Sequence, residues 1–369
     1  VVCGDRLGGR PATVRWSSGR QTSEGGVQDT QVIGASAGRL FAVAGYRKLS
    51  LVARDAFSGI VLWERPYSYK MPGLGYRTFW RQAPLIADGP LVYIAGKALD
   101  AGTGKEVFSF AGNPKACADG VLITEQMHAF DAKTGKEVWR HAPQSNGLAV
   151  AGGHAYITEG KWPEKGGPVQ LVCLDLKTGK VQWRRKTMLP VPAVKATAKY
   201  DGYSPRSTPN GLLAGIVYHR GALALEVTRT YIHLFSASDG APLRSVRYKN
   251  WAPYASGLRA LMIDGKLWLP TFDEGEKFDF GVTINAHSLT SGKKVKTLTR
   301  KTPIRQRCRP PLGSEAFMFL GGMNTVDLAT GVGESMPIAR AACHIGMVLA
   351  NGLIYAPPTH CRCYSMIPG

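Results

Sequence analysis

One eleven-residue segment, Ala129-Phe-Asp131-Ala-Lys-Thr134-Gly135-Lys-Glu-Val-Trp139, recurs along this chain and limits its folds before any single residue does. Two further copies keep the tryptophan, Ala53-Arg-Asp55-Ala-Phe-Ser-Gly59-Ile-Val-Leu-Trp63 and Cys173-Leu-Asp175-Leu-Lys-Thr178-Gly179-Lys-Val-Gln-Trp183. A fourth, Leu99-Asp100-Ala-Gly-Thr103-Gly104, carries Phe108 where the tryptophan would stand, and degenerate copies follow at Ser236–Gly240, Ser288–Gly292 and Asp327–Gly331. The chain thus holds seven turns of one design.

Each copy runs from an alternating apolar stretch into Asp, two free residues, Thr or Ser, then Gly, then a second alternating stretch ending in an aromatic. That pattern predicts a β-hairpin. The Asp carboxylate accepts hydrogen bonds from the turn's own N–H groups, and Gly takes the positive φ that other residues resist. Upstream of most copies lies another hairpin cue followed by a β-run, at Ala37-Gly38, Asp88-Gly89, Asp119-Gly120, Gly152-Gly153 and Asp264-Gly265. Two hairpins per repeat make a four-stranded antiparallel meander.

The turn glycines stand at 59, 104, 135, 179, 240, 292 and 331, at intervals of 31 to 61 residues. Such intervals are the size of a propeller blade. An eighth unit begins with Met347–Ala356 and Cys361-Arg-Cys363, and the chain stops at Gly369 before its outer strand. Thr13-Val14-Arg15-Trp16 copies the aromatic-terminated fourth strand and is the expected donor. The expected fold is all-β: an eight-bladed β-propeller of four-stranded antiparallel blades closed by its N-terminal strand. It is expected as one domain over 1–369, with a closing strand at about 13–18 and blades at roughly 27–66, 80–110, 112–141, 145–186, 203–247, 255–299, 305–338 and 343–369.

A chain of 369 residues exceeds the usual single-core size, but radial repetition lets one domain grow without enlarging its core. The 44 glycines and 23 prolines suit a turn-rich all-β protein. No apolar run reaches the length of a membrane-spanning helix, and the stretch 211–227 is broken at His219-Arg220-Gly221, another expected hairpin tip. Val1 rather than Met opens the sequence, which leaves room for a removed signal peptide or an upstream domain.

The Ala-x-Asp-x-x-Thr-Gly-x-x-x-Trp pattern resembles the tryptophan-docking repeat of pyrroloquinoline-quinone (PQQ)-type β-propellers, with Trp63, Trp139 and Trp183 as wedges between blades. Leu51–Trp63, Arg307-Cys308 and Asn351–Cys363 are similar to segments of bacterial PQQ-binding-like β-propeller repeat proteins, and the resemblance covers nearly the whole chain. It implies the fold but not one activity, because the repeat serves both quinoprotein dehydrogenases and non-enzymatic scaffolds such as the outer-membrane assembly propeller lipoprotein. The dehydrogenases add a vicinal cysteine pair, a carboxylate base and a Glu/Asn/Asp calcium site. No two cysteines are adjacent here and the acidic residues are scattered. The chain also lacks the Cys-x-x-Cys-His of haem attachment. No catalytic residue and no cofactor is therefore expected; PQQ is the alternative.

Three apparent motifs carry no chemistry. Gly34-Ala-Ser36-Ala-Gly38 fits a nucleophile elbow, yet that needs a strand-to-helix turn and this glycine opens a hairpin. The Thr-Gly-Lys of Thr103, Thr134 and Thr178 lacks the first glycine of a phosphate loop. His141, His154, His219 and His233 stand isolated on strands or tips.

Four of the seven cysteines, Cys308, Cys343, Cys361 and Cys363, fall near the C-terminal end, with His344 and His360 beside two of them. Disulfides at the ring's seam are the leading reading, with free thiols or a zinc or copper site as alternatives. Cys173 reads as core, and Cys3 and Cys117 are undecided. A disulfide there requires an oxidising compartment, which places the protein in the periplasm, the cell envelope or outside the cell.

The formal net charge is +20, with clusters at Arg184-Arg185-Lys186, Lys293–Lys296, Arg300-Lys301 and Arg305–Arg309. Such a field favours acidic partners. In a propeller the Asp-x-x-Thr-Gly tips lie on one face, and the long segments 67–82, 160–170, 187–210, 248–255 and 272–280 belong to the other. They mix aromatics with cations, and Tyr69, Arg77, Trp80, Arg81, Trp162, Tyr203, Arg206 and Trp251 are the candidate contacts for a partner. The expected function is a monomeric, non-catalytic envelope scaffold that binds a protein or an acidic polysaccharide; nucleic acid is not expected. The alternative is a quinone- or metal-dependent oxidoreductase or electron-transfer module.

Overall fold

The structure, a computed structural model, describes residues 2–5, 13–17, 31–44, 49–67, 85–142, 145–159, 167–189, 215–228, 231–247, 261–272, 280–304, 311–320, 324–335, 348–350 and 353–356. Structural statements below concern these residues.

Strands β1 (Val2–Asp5) and β2 (Thr13–Ser17) open the chain. A first sheet follows from β3 (Gln31–Ser36), β4 (Arg39–Ala44), β5 (Leu49–Asp55) and β6 (Val61–Tyr67). The next comprises β7 (Leu85–Asp88), β8 (Leu91–Ile94), β9 (Lys97–Asp100) and β10 (Glu106–Ser109). Then come β11 (Pro114–Ala118), β12 (Val121–Thr124), β13 (His128–Asp131) and β14 (Glu137–Arg140). The fourth sheet has β15 (Ser145–Ala151), β16 (His154–Glu159), β17 (Gly167–Asp175) and β18 (Val181–Leu189).

The fifth sheet is built from β19 (Gly215–His219), β20 (Ala222–Thr228), β21 (Tyr231–Ser236) and β22 (Pro242–Arg247). It is followed by β23 (Leu261–Ile263), β24 (Lys266–Phe272), β25 (Phe280–Ser288) and β26 (Lys294–Ile304). The seventh holds β27 (Leu312–Gly313), β28 (Phe317–Leu320), β29 (Asn324–Asp327) and β30 (Gly333–Ser335). Finally β31 (Val348–Ala350) and β32 (Leu353–Ala356) pair with each other, and β32 pairs with β1.

The result is eight four-stranded antiparallel sheets and no helix among the described residues. Seven follow chain order, whereas the eighth runs β2-β1-β32-β31. Two N-terminal strands join it, not the single strand that the sequence suggests: Val2–Asp5 supplies the third strand as well. The expected use of Cys361–Ile367 in this sheet lies outside the described residues.

First strands of successive sheets adjoin: β31 lies against β3, and the series continues through β7, β11, β15, β19, β23 and β27. Second and third strands are apolar on both faces because a neighbouring sheet covers each side. Leu40, Phe41 and Ala42 of β4 and Val92, Tyr93 and Ile94 of β8 are all buried. The outer strands alternate, so that in β6 Trp63 is buried while Leu62 and Glu64 are exposed. The core is accordingly a series of inter-sheet clusters. One joins Phe41, Leu51 and Trp63 to Val92, Ile94 and Leu99; another joins Leu40 and Ala56 to Leu353 and Tyr355 across the two ends of the chain.

The predicted tips form. Ala37-Gly38, Asp119-Gly120, Arg220-Gly221 and Asp264-Gly265 pair two positive φ values (48/72°, 48/78°, 46/80° and 48/66°), the turn whose twist matches a two-residue hairpin. Ser36 therefore ends a strand, where its Oγ accepts the Gly89 N–H at 3.1 Å. It is no nucleophile elbow.

Candidate functional site

All seven Asp- or Ser-headed turns close alike. The N–H of the heading residue donates to the carbonyl five residues on, and the Gly N–H donates back to the heading carbonyl, at 2.8–2.9 Å throughout. In the Asp131 turn the carboxylate Oδ1 accepts from the Lys133 N–H (3.1 Å), the Thr134 N–H (2.8 Å) and the Thr134 hydroxyl (2.8 Å). Asp55, Asp100, Asp175 and Asp327 hold the same three donors. Hydrogen bonds from the neighbouring Thr or Ser hold the carboxyls of Asp55, Asp100, Asp131 and Asp175 below the usual range. The threonines of the Thr-Gly-Lys segments are thus turn residues.

One expectation fails here. The two residues after the Asp are not both free: the first is Ala56, Ala101, Ala132, Leu176, Ala237, Leu289 or Leu328, and it is buried in every copy. Its N–H bonds the upstream tip of the same sheet, from Ala56 to the Gly38 carbonyl through Leu328 to that of Ala316, at 2.8–3.0 Å. Its carbonyl faces the preceding sheet. Trp63, Trp139 and Trp183 donate their indole N–H to Ala101 (2.9 Å), Leu176 (2.8 Å) and Ala237 (3.2 Å).

The same indoles lie on the next turn's glycine. A Cβ at Gly104 or Gly179 would stand 2.7 Å from Trp63 or Trp139, and one at Gly240 would stand 2.6 Å from Trp183. Phe108 covers Gly135 in the same way. Having no N–H, it leaves the Ala132 carbonyl to the Tyr93 hydroxyl at 2.7 Å, and Tyr355 likewise donates to Ala56 at 3.4 Å.

Sequence reasoning missed the next two members. Arg244 and Lys296 stand eight residues after Ser236 and Ser288, where three other copies carry tryptophan and a fourth Phe108. The Arg244 stem covers Gly292, and its guanidinium donates to the Ser291 carbonyl at 3.1 Å. Lys296 donates to the carbonyls of Leu328 (2.9 Å) and Ala329 (2.6 Å), while Leu298 covers Gly331. The signal was the constant spacing of eight, hidden by the change of residue type.

The histidines are less isolated than the sequence suggests. His141 Nε2 lies 2.8 Å from Glu159 Oε1, and Arg184 donates to both oxygens of Glu159 at 2.9 and 3.2 Å. Burial pushes the Glu159 carboxyl up, but the bonds from Arg184 and His141 outweigh it and the group sits below its ordinary value. His219 accepts the Gly265 N–H at 3.1 Å. His233, buried beside the Ser245 hydroxyl at 2.7 Å, is pushed down to about 4 by burial. Cys173 is buried as expected; Cys117 donates to Asp88 at 3.4 Å, and burial followed by that carboxylate raises its thiol to about 12, so it stays protonated.

An open cleft of about 370 Å³ lies between the sheets β3–β6 and β7–β10, lined by Leu51, Arg65, Tyr67, Ile94, Lys97 and Glu106 and by the turn glycine Gly104 among others. Lys97 and Glu106 are paired at 2.6 Å within it. Tyr69, Arg77, Trp80 and Arg81 follow directly after Tyr67 in sequence but lie outside the described residues, as do Trp162, Tyr203, Arg206 and Trp251. The same holds for Cys308, Cys343, His344, His360, Cys361 and Cys363, and for the side chains of Trp16 and Cys3. Among the described residues no three His, Cys, Asp or Glu side chains converge as a metal ligand set.

A family model described as outer membrane protein assembly factor BamB matches residues 123–202. No curated protein matches the chain. Among solved structures, the computationally designed Ika8 protein aligns over 91% of this chain and 95% of its own, at 13% identity and a TM-score of 0.54. The quinohemoprotein alcohol dehydrogenase ADHIIG from Pseudomonas putida HK5 aligns over 92% and 73%, at 12% identity and a TM-score of 0.52. Both are likenesses of fold. BamB from Moraxella catarrhalis aligns over 97% and 90% at 14% identity, with a TM-score of 0.49 too low to add to them. Over residues 123–202 the chain is thus similar to this family of PQQ-like repeats, and the recurring turn and the sheets it builds extend the same pattern along the chain.

Proposed function

We propose that residues 1–369 form a single eight-bladed propeller, closed by the N-terminal strands, that acts as a non-catalytic binding scaffold in the bacterial cell envelope. Its partner, a protein or an acidic polysaccharide, sits on the face from which the long connections leave. The observation that carries this reading is the asymmetry of the sheets. On one side seven of the eight sheets end in short turns locked by repeated backbone bonds. On the other, the strand ends at Tyr67, Glu159, Leu189, Arg247 and Phe272 lead into the five long segments. Rigid tips on one side and variable connections on the other are the usual division between scaffold and recognition. The likeness of residues 123–202 to an outer-membrane assembly factor supports an envelope location.

Trp80→Ala with Arg81→Ala is expected to weaken partner binding much more than folding. An absorption spectrum with metal analysis of the purified protein tests the scaffold reading directly, since a stoichiometric chromophore or metal would replace it with a redox role. Closure is tested by deleting residues 1–20. The eighth sheet then loses two of its strands and exposes β32 as an edge, so the melting temperature is expected to fall and association to rise. A truncated chain that stays monomeric with an unchanged melting temperature would refute closure.

A further inference from the structure

The outer strands of three consecutive sheets differ from all the others in charge. Strands β18, β22 and β26 together carry nine Lys and Arg and no Asp or Glu. The five remaining outer strands, β2, β6, β10, β14 and β30, carry three arginines and four glutamates. There the charges are largely consumed locally, as in the Arg140–Glu137 pair and the Lys97–Glu106 pair.

The three basic strands are neighbours in space. Trp183 of β18 covers Gly240 in the turn that leads into β22, and Arg244 of β22 covers Gly292 in the turn that leads into β26. Arg184, Arg185, Lys186, Arg244, Lys293 and Lys294 are all exposed. Some are partly engaged: Arg184 pairs with Glu159, Arg185 lies 3.9 Å from Asp239, and Arg244 is held by the Ser291 carbonyl. Lys186, Lys293 and Lys294 have no carboxylate partner among the described residues.

A lysine on a free sheet edge also discourages edge-to-edge pairing. That role does not explain the pattern, because the other outer strands are edges too and remain balanced in charge. We propose that β18, β22 and β26 form a basic crescent that binds a linear acidic polysaccharide, at a surface separate from the long-connection face. A single added peptide strand would engage one edge, whereas this charge is spread over three, as suits a polymer that carries a negative group on each repeat unit. No exposed aromatic side chain accompanies the cations on these strands to stack a nucleobase, since Trp183 is committed to Gly240. The crescent lies on the convex outside of the ring proposed above, and the inference rests on that arrangement at this point. A stiff duplex meets a convex rim tangentially, while a flexible glycan follows it.

The full chain is titrated with polygalacturonate at about 0.15 M salt, where exposed charges more than roughly 8 Å apart are largely screened and weak bulk attraction is suppressed. The variant Lys186→Glu/Lys293→Glu/Lys294→Glu is compared with Lys105→Glu/Lys133→Glu/Lys136→Glu, which makes the same change in net charge at exposed sites around other turns. Melting curves verify that both fold. The crescent variant is expected to lose at least about tenfold in affinity and the matched variant less than about twofold, because focused local charge rather than net charge sets the attraction. Equal losses in both, or no binding by the unmodified chain, would overturn the proposal. So would a DNA duplex that binds more tightly than polygalacturonate and loses affinity in the same variant. Trp80→Ala/Arg81→Ala separates the two surfaces: unchanged polygalacturonate affinity supports the crescent whatever becomes of the long-connection face, and loss of affinity only in that variant moves the glycan to the long connections.

Discussion

From β3 to β18 the sheets meet through aromatic rings, whereas from β19 to β26 the same position of the repeat holds a cation. Trp63, Phe108, Trp139 and Trp183 each lay a ring on a glycine of the next turn, and each of the three indoles donates to a backbone carbonyl of that turn. Arg244 and Lys296 reproduce parts of that contact with an aliphatic stem and a charged donor. The comparison shows that the repeat conserves an interaction, a cover for the glycine and a donor for the carbonyl, rather than a residue. The two solutions differ in strength, since a ring buries apolar area and fixes its own geometry, while a long cation keeps its head near water and can swing away.

The largest effect is expected from Trp139→Ala, which removes a buried wedge of the aromatic half and should cost about 3–5 kcal/mol in urea unfolding. A cost no greater than that of Arg244→Ala would erase the distinction between the halves. Next comes the glycine beneath. At Gly179, with φ at 69°, a Cβ would meet the Trp139 ring at 2.7 Å, and Gly179→Ala should cost about 2–4 kcal/mol. At Gly292 the clashing atom is the Cδ of Arg244, which can move, so Gly292→Ala should cost only about 1–2 kcal/mol, the strain of the positive φ.

A third measurement concerns acid. His233, in β21 of the cationic half, is buried and neutral, with its folded pKa near 4 and an unfolded value near 6.5. Between those values the unfolded chain binds the extra proton, so this contribution is complete above about pH 6.5, declines as pH falls, and is gone by about pH 4, a loss of roughly 1–3 kcal/mol. Replacing His233 with Asn should flatten the pH 4–6.5 stability profile. Smallest is Lys296→Met, which keeps the stem and loses the donors to Leu328 and Ala329, at about 1 kcal/mol. A cost as large as that of Trp139→Ala would mean that the cation is as strong a wedge as the indole.

Much of the fold was legible because the turn is a local device. Asp131, Thr134 and Gly135 satisfy one another within five residues, so their spacing predicts the hairpin, and its recurrence predicts the sheets. The buried residue after each Asp was not legible as a fixed position, because alanine or leucine there looks like ordinary turn filler until the upstream tip of its own sheet and the preceding sheet's ring are in place. Trp63, Trp139 and Trp183 were readable as wedges since residue type and spacing agreed. Arg244 and Lys296 were not, since their type argued for solvent and only their spacing argued for the interface.

By itself the sequence determined the repeat, the turns and the strand alternation, because those rest on φ preferences and hydrogen bonds among near neighbours. Tertiary structure alone decided what crosses between sheets. It brought Val2–Asp5 beside Leu353–Ala356, joined His141 to Glu159, and set the basic strands β18, β22 and β26 in a row. Pairing of that kind depends on which surfaces remain to be buried once every sheet has formed, and a separation of tens or hundreds of residues leaves no local trace of it.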